Sequence, residues 1–263
     1  MEATISTSSK VKDYIFTELE HNRLKVGDRL PAETHIANHL NVSRSSVREA
    51  LQSLKSIGLL NSSQGSCYTI TGNTTKIFSE ALRAIIATTP ICLTDISEIR
   101  EALEVKAAQL AIRNHISKNS IDDLEAYVIQ MEKATSSPSN ISKATTYDID
   151  FHRKIAELSG NPFLVSFTEA LSQFSKHYIL VSWNDISPNQ ITDLINSHKN
   201  IVHCFKYKDA ENVVHEIIQH YRIADDILNM QKKQSIEKLL AELYSKGLSN
   251  EQILNKLSSL DQL

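Results

Sequence analysis

The feature that most limits the possible folds is a helical period of apolar residues that continues, with short breaks, over the C-terminal two thirds of the chain. Six helical segments are predicted, at about 95–114, 120–135, 139–159, 162–182, 189–206 and 209–231. The alternation that is typical of β-strands does not appear there. The chain has only 6 Gly and 5 Pro, which is low for an all-β protein with many turns. The sequence therefore predicts an all-α bundle in this region.

The first 72 residues carry a different pattern, in which three short helical segments precede two extended ones. The helices are predicted at about 9–22, 33–40 and 44–57, and the strands at about 59–62 and 67–71. Ser43 is the expected N-cap of the third helix, and Gly58 is a natural stop after it. A helix, a short helix, a tight turn, a third helix and a β-hairpin together predict a winged helix-turn-helix.

The third helix of this motif is the one that we expect to contact DNA. Its apolar residues face inward, whereas Arg44, Ser45 and Arg48 face outward near its N-terminus. The free N–H groups and the dipole of a helix N-terminus attract phosphate. The whole chain has a formal net charge of −3, so DNA binding must depend on the local placement of these side chains.

The composition argues against several other classes of protein. No apolar run reaches the length of a membrane span, and the N-terminus lacks the pattern of a signal peptide, which predicts a cytoplasmic location. The 3 cysteines, Cys67, Cys92 and Cys204, are too widely spaced for a CxxC metal pair or a disulfide framework. We expect them to be buried thiols.

Four ionisable residues of the helical region lie on faces that the apolar pattern turns inward. Asp148 and His152 are four residues apart and share a face with Ile155. His198 and His220 each lie within the apolar stripe of their own helix. Burying one such group without a partner is costly, and burying four is much more so.

A divalent metal ion resolves this difficulty, because carboxylate and neutral imidazole are common metal ligands and helical bundles build such sites from facing helices. Asp148, His152, His198 and His220 are therefore the predicted ligands, with zinc as the first candidate and nickel or manganese as alternatives. Taken singly, each histidine could instead be a hydrogen-bonded core residue. Three imidazoles and one carboxylate would leave coordination positions open to water or to a ligand carboxylate.

Two further side chains are candidates for effector binding. Arg100 lies near the start of the first bundle helix, beside the predicted inward residues Ile99, Leu103 and Ala107, where it could hold an acid. A solvated arginine is the alternative at that position. His177 flanks the apolar side of the fourth bundle helix and could line the same cavity.

Several motifs resemble the GntR family of bacterial transcriptional regulators. They are GDRLPAE at 27–33, VSRSSVREAL at 42–51 and GLL at 58–60. The helical region is similar to the ligand-binding domain of the FadR subfamily, the FCD type. Its matching motifs are REALE at 100–104, D-x-x-x-H at 148–152 and SGNP at 159–162. The resemblance covers about residues 9–231.

The resemblance implies a homodimer bound to a palindromic operator in double-stranded DNA. Arg44 and Arg48 would contact the major groove and its phosphates, and Gly65 would let the wing approach the minor groove. The DNA-contacting candidates are Thr34, Ser43, Arg44, Ser45, Arg48 and Gly65. Two positions depart from the family pattern, because Thr34 stands where arginine is frequent and Cys67 replaces the usual second glycine of the wing.

These observations predict a mainly α fold, with an N-terminal winged helix-turn-helix plus a C-terminal all-α helical bundle. The predicted parts are a DNA-binding domain at 1–72, a linker helix at 73–90, a metal- and effector-binding domain at 91–232 and a helical extension at 233–263. The resemblance also implies a small carboxylate effector that meets the metal and Arg100 and releases the protein from DNA.

The predicted function is a ligand-responsive transcriptional regulator, with repression the commoner mode in the family. A metal with an open position could instead activate water in an enzyme that acts on a small organic acid. However, no general base of obvious placement accompanies the ligands, and an enzyme would leave the winged helix unexplained, so we predict that the chain is not an enzyme. In a third hypothesis the chain is a regulator whose metal is purely structural or absent.

Overall fold

The structure is a computed structural model that describes residues 6–63, 67–114, 116–137, 140–184 and 186–246. The chain divides into two compact units on either side of the bond between Ala84 and Ile85. None of the helices in these ranges combines the length and hydropathy needed to cross a lipid bilayer.

The first unit contains three helices, a two-stranded sheet and most of a fourth helix that follows the sheet. The helices are α1 (Thr7–Glu20), α2 (Glu33–Leu40) and α3 (Arg44–Ser56), and the strands are β1 (Leu60–Ser63) and β2 (Cys67–Ile70). The strands pair antiparallel with Leu60 opposite Ile70, and Arg29 adds one bridge to Thr69 on the other edge of β2. The order of elements is that of a winged helix-turn-helix, as the sequence predicts.

Local interactions explain where α3 begins and ends. The Ser43 hydroxyl accepts a hydrogen bond from the backbone N–H of Ser46 at 3.1 Å, which caps the helix N-terminus. At the other end Gly58 has a φ of +88°, a left-handed conformation that glycine adopts without strain. Val47, Leu51 and Leu54 point from α3 into a core shared with Val11 and Ile15 of α1. The outward face of α3 is thereby fixed.

The helix α4 (Thr74–Thr88) follows the sheet, and six helices then form the bundle. They are α5 (Leu93–Arg113), α6 (Lys118–Thr135), α7 (Ile141–Leu158), α8 (Pro162–Asn184), α9 (Pro188–Tyr207) and α10 (Asn212–Ser245). Helix α7 packs against α5, α6 and α8, and α10 packs against α5 and α9. The all-α architecture predicted for this region is confirmed.

Two features of the bundle differ from the sequence-based expectation. The inward face of α5 carries Glu104, Ala107 and Ala108, whereas Ile99, which we expected to point inward, is 54% exposed. Helix α10 also continues to Ser245 without a break at the predicted start of the C-terminal extension. The polar run that follows residue 230 is rich in Lys and Gln, which are good helix formers, so nothing there ends the helix.

The described part of the bundle core is mainly apolar. Phe151, Ile201 and Phe205 are completely buried, as are most of their neighbours. Among the described residues, α5, α7, α9 and α10 contribute five buried carboxylate and imidazole side chains to the core: Glu104, Asp148, His152, His198 and His220.

Candidate functional site

Three imidazole rings from three helices converge in the core of the bundle. His152 comes from α7, His198 from α9 and His220 from α10, and each offers one nitrogen that lies within 4.8 Å of the other two. The ring centroids of His198 and His220 are 4.4 Å apart, and those of His152 and His220 are 5.0 Å apart. Three imidazole nitrogens this close together are an arrangement that could hold a metal ion.

Hydrogen bonds on the outer side of each ring fix which nitrogen faces the centre. His152 Nδ1 lies 2.6 Å from Glu104 Oε2, and His198 Nδ1 lies 2.7 Å from the carbonyl oxygen of Leu194. Since these oxygens accept hydrogen bonds, both Nδ1 atoms carry the proton. Each Nε2 is then left with its lone pair, and His198 Nε2 is buried without a hydrogen-bond partner.

The ring of His220 is oriented in the same way, by a hydrogen bond to Ser197. The Ser197 hydroxyl donates its one hydrogen to the Leu194 carbonyl at 2.7 Å. It therefore accepts a hydrogen bond from His220 Nδ1, which lies 2.9 Å away. All three imidazoles are thus held in the tautomer that presents Nε2 as a ligand, which is the usual arrangement around a protein-bound metal.

The carboxylate of Asp148 borders the same centre. Its Oδ1 lies 3.2 Å from His198 Nε2 and 3.8 Å from His152 Nε2. Two ligands about 2.0–2.1 Å from one tetrahedral zinc ion would be about 3.3 Å apart. The separation between Asp148 and His198 is therefore compatible with two ligands of one ion, whereas the group of donor atoms that all lie within 4.8 Å of one another consists of the three imidazoles.

The electrostatics of the site favour ligands in their metal-binding protonation states. Burial lowers the pKa of His220 well below its ordinary value, and the neighbouring His198, His152 and Arg100 lower it further. Burial raises the pKa of Asp148, but the nearby His198, His152 and Arg100 outweigh it, so this pKa lies below its usual value. At neutral pH the site therefore offers a carboxylate and at least one neutral imidazole.

Sequence reasoning missed Glu104 and Tyr221. Glu104 Oε2 accepts hydrogen bonds from His152 Nδ1 and, at 2.8 Å, from the Tyr221 hydroxyl. Tyr221 also lies under Arg100, whose Cζ is 5.4 Å from the ring centroid. The sequence did contain an indication of Glu104. Arg100, Glu104 and Ala108 are four residues apart, so they share one face of α5, and this face also carries small residues.

A cavity opens beside the imidazoles. It has a volume of about 70 Å³ and is lined by Asp148, His152 and His220 on one side and by Arg100 and Asp225 on another. A cavity needs about 10–15 Å³ per water molecule, so this one has room for a ligand of only a few heavy atoms. The structure thus brings Arg100 to the same cavity as the predicted metal ligands. The side chain of His177 lies outside the described part of the chain.

The predicted DNA-contacting residues of the first unit are exposed where the structure describes them. Ser43, Arg44, Ser45 and Arg48 surround the N-terminus of α3, and Thr34 lies on the surface of α2. Gly65 lies outside the described residues. The Ser45 hydroxyl is 2.8 Å from that of Ser43.

Arg48 is held by a residue that the sequence analysis did not single out. Its guanidinium forms an ion pair with Glu33 of α2, with Nη2 and Oε2 2.9 Å apart, and the arginine side chain is 57% exposed. The Glu33 carboxylate is almost buried, at 8% exposure. The pair holds the guanidinium at the surface of α3, where it can still contact a nucleic acid.

Comparisons with known proteins match both units. The family model for bacterial regulatory proteins of the gntR family matches residues 7–70, and the FCD domain model matches residues 95–223. This chain belongs to the GntR family. It joins the family's helix-turn-helix domain to an FCD ligand-binding domain, which fits the FadR-like subfamily.

Individual relatives agree with this assignment. A protein of Escherichia coli (strain K12) named as an L-lactate dehydrogenase operon regulatory protein is 28% identical over 221 residues, covering 81% of this chain and 83% of that protein. The HTH-type transcriptional regulator LutR of Bacillus subtilis is 23% identical over 222 residues, covering 83% of this chain and 100% of that protein. The solved structure of Streptococcus agalactiae GntR has 25% identity and a TM-score of 0.60, covering 82% of this chain and 97% of that one.

The relatives settle the choice between regulator and enzyme. They are transcriptional regulators, and the matched N-terminal domain is a DNA-binding domain. The chain is therefore a GntR-family transcriptional regulator with an FCD ligand-binding domain, and the enzyme hypothesis is set aside.

Proposed function

We propose that this regulator is a metal-dependent repressor that binds a palindromic operator as a homodimer and leaves it when a small carboxylate binds. The observation that carries the proposal is the convergence of His152, His198 and His220 with every Nδ1 already engaged. Three independent outer hydrogen bonds, to Glu104 and to groups of α9, orient the rings toward one point. If the three histidines were only hydrogen-bonded core residues, their Nε2 atoms would not need to face one another.

Asp148, His152, His198 and His220 would hold a divalent ion, with zinc the first candidate because imidazole and carboxylate suit it. Such an ion would supply a positive Lewis-acidic centre on which a carboxylate oxygen binds. Four protein ligands leave positions open in a five- or six-coordinate ion. The ligands border the cavity, so an open position would be reached from there.

Arg100 would take the other part of the carboxylate. Its guanidinium lies at the same cavity as His152 and His220, and arginine binds carboxylates through paired N–H donors. The small volume of the cavity favours an acid of a few carbon atoms over an acyl chain. The name of the Escherichia coli relative, which refers to an operon for L-lactate dehydrogenase, is consistent with an effector of this size.

At the DNA, Arg44, Ser45 and Arg48 would enter the major groove at the N-terminus of α3. Thr34 and Ser43 would contact phosphate, and Gly65 would lie in the wing. The regulators named as repressors include NanR of Escherichia coli (strain K12 / DH10B), 26% identical over 222 residues. This relationship supports repression as the mode of action here.

Metal content tests the proposal. Purified protein, reloaded with zinc and desalted, is analysed for bound metal, with His198→Ala compared with His203→Ala. Both histidines lie on α9, but His203 is exposed and off the cavity. We expect about one ion per chain in the wild type and in His203→Ala, and loss of that ion in His198→Ala. Equal metal content in the two variants would contradict the assignment of the ligands.

A regulator whose metal is only structural is the second candidate. It predicts the same metal content but no effect of carboxylates on DNA binding. The position of Arg100 at the cavity favours a sensor, because a structural ion needs no cationic side chain beside it. Titration of an operator complex with small carboxylates separates the two hypotheses.

A further inference from the structure

The cavity contains an acidic residue that recognition of a simple carboxylate does not require. Asp225 lies on α10, four residues after Tyr221, and lines the cavity together with Arg100 and Ser97 of α5. A carboxylate ligand would meet a like charge there, which weakens binding unless another group of the ligand compensates. Asp225 therefore limits what the rest of an effector can be.

The orientation of Asp225 is fixed by one hydrogen bond. The Ser97 hydroxyl donates to Oδ1 at 2.7 Å, across 128 positions of sequence. In the described part of the chain no other group donates a hydrogen bond to this carboxylate, so Oδ2 is available to accept one from a ligand. Burial raises the pKa of Asp225 although Ser97 and Arg100 oppose the shift, which agrees with a carboxylate that lacks its full set of donors.

Arg100 carries the opposite charge in this cavity but does not form an ion pair with Asp225. The guanidinium of Arg100 lies against the ring of Tyr221, and among the described residues no carboxylate is within ion-pairing distance of it. A cation and an anion thus line one small cavity without pairing with each other. A positive and a negative group that do not pair with each other match a ligand that carries both an acceptor and a donor.

We propose that Asp225 selects effectors that carry a hydrogen-bond donor, a hydroxyl or an ammonium group, in addition to their carboxylate. The inference rests on the proposed carboxylate-sensing function. The carboxylate binds at the metal centre and Arg100, and the donor of the same small molecule binds Asp225 Oδ2. Asp225 is then a specificity residue, and unsubstituted acids of the same size are the ligands that it discriminates against.

Binding of a matched series of acids to the zinc-loaded full chain tests the inference. Calorimetric titration compares propionate with its 2-hydroxy, 3-hydroxy, 2-amino and 3-amino derivatives. Since a hydrogen bond to a charged group is worth about a tenfold change in affinity or more, at least one derivative should bind about tenfold more tightly than propionate. Whichever derivatives bind more tightly, the hydroxy or the amino ones, identify the donor group that Asp225 recognises.

Variants of Asp225 separate specificity from structure. In Asp225→Ala the preference should fall to less than about threefold while propionate binds at least as well as before, because the like charge is gone. Asp225→Asn keeps the shape and the acceptor for Ser97, so it covers the case in which the alanine variant does not fold, and it should lose the preference for amino derivatives. Asp226→Ala is the matched control, since Asp226 is exposed and off the cavity.

The outcomes distinguish this inference from the function on which it rests. If propionate and its derivatives bind the wild type equally, or if the preference survives in Asp225→Ala and Asp225→Asn, Asp225 does not select the effector although carboxylate sensing stands. If none of the five acids binds the zinc-loaded wild type, carboxylate sensing itself fails, and the role of Asp225 fails with it. If both Asp225 variants lose binding of all five acids to the same extent, Asp225 has only a structural role, in which its hydrogen bond with Ser97 connects α10 to α5.

Discussion

The hydrogen bond between Glu104 and His152 predicts a measurable effect on metal affinity. Glu104 Oε2 accepts from His152 Nδ1 at 2.6 Å and from Tyr221 at 2.8 Å, and the carboxylate is 4% exposed. A carboxylate in this position fixes the ring and raises the basicity of Nε2. In Glu104→Gln the amide oxygen can still accept both bonds, so the geometry is kept while the negative charge is lost.

The size of this effect follows from what is removed. Loss of a partner behind a metal ligand typically lowers metal affinity about 10–100-fold, which is about 1.4–2.8 kcal/mol. Glu104→Gln should lie near the lower end, because only the charge is removed. Glu104→Ala should reach the upper end and also lower the free energy of unfolding by about 1–3 kcal/mol, since Tyr221 and His152 Nδ1 lose their buried acceptor.

Competition with a chromogenic zinc chelator measures the affinity, and thermal unfolding followed by circular dichroism checks that each variant folds. Glu98→Gln is the control, because Glu98 lies on the same helix but is exposed. Metal affinity in Glu104→Gln equal to that of Glu98→Gln would refute the role assigned to the carboxylate.

Three further predictions follow from the structure. Arg48→Ala should weaken operator binding by about 1–3 kcal/mol, measured by fluorescence anisotropy. The control Arg23→Ala, a change beyond the end of α1, should leave operator affinity unchanged. If the two variants bind the operator equally well, Arg48 does not contribute to DNA recognition. In the metal-free protein the pKa of His220 is lowered, so the unfolded chain takes up a proton before the folded one as the pH falls below about 6.5. The free energy of unfolding, measured with urea, should therefore decrease from pH 7 to pH 5, and it should decrease less steeply in His220→Gln. The same pH dependence in the wild type and in His220→Gln would contradict this. Gly58→Ala should destabilise the protein by about 1–2 kcal/mol because of its φ of +88°, and an unchanged melting temperature would argue against that strain.

Helical periodicity located the imidazoles because their helices have one clear apolar face. His198 and His220 interrupt runs of Ile, Leu and Val whose inward direction is unambiguous. The pattern thus predicted the winged helix-turn-helix, the bundle and the three histidines that meet in its core.

The same method was wrong about Ile99 of α5, although Ala107 is buried and Leu103 packs against the core as predicted, because the residues that α5 turns inward include charged ones. Arg100 and Glu104 occupy positions that a pattern of apolar residues assigns to solvent, and Ile99 takes the exposed side. The hydrogen bond between Ser97 and Asp225 connects residues 128 positions apart, and a local sequence pattern cannot predict such a contact. These are the residues that shape the cavity, so its specificity became visible only in three dimensions.

We propose that a metal centre in the FCD domain controls DNA binding, and operator affinity tests this proposal most directly. An operator is first selected from random-sequence duplex DNA with the zinc-loaded protein. Its affinity is then measured with and without the acids of the propionate series, for the wild type and for His152→Ala. We predict that an acid weakens the wild-type complex at least tenfold and leaves the complex of His152→Ala unchanged. Equal weakening of both complexes, or of neither, would contradict the account.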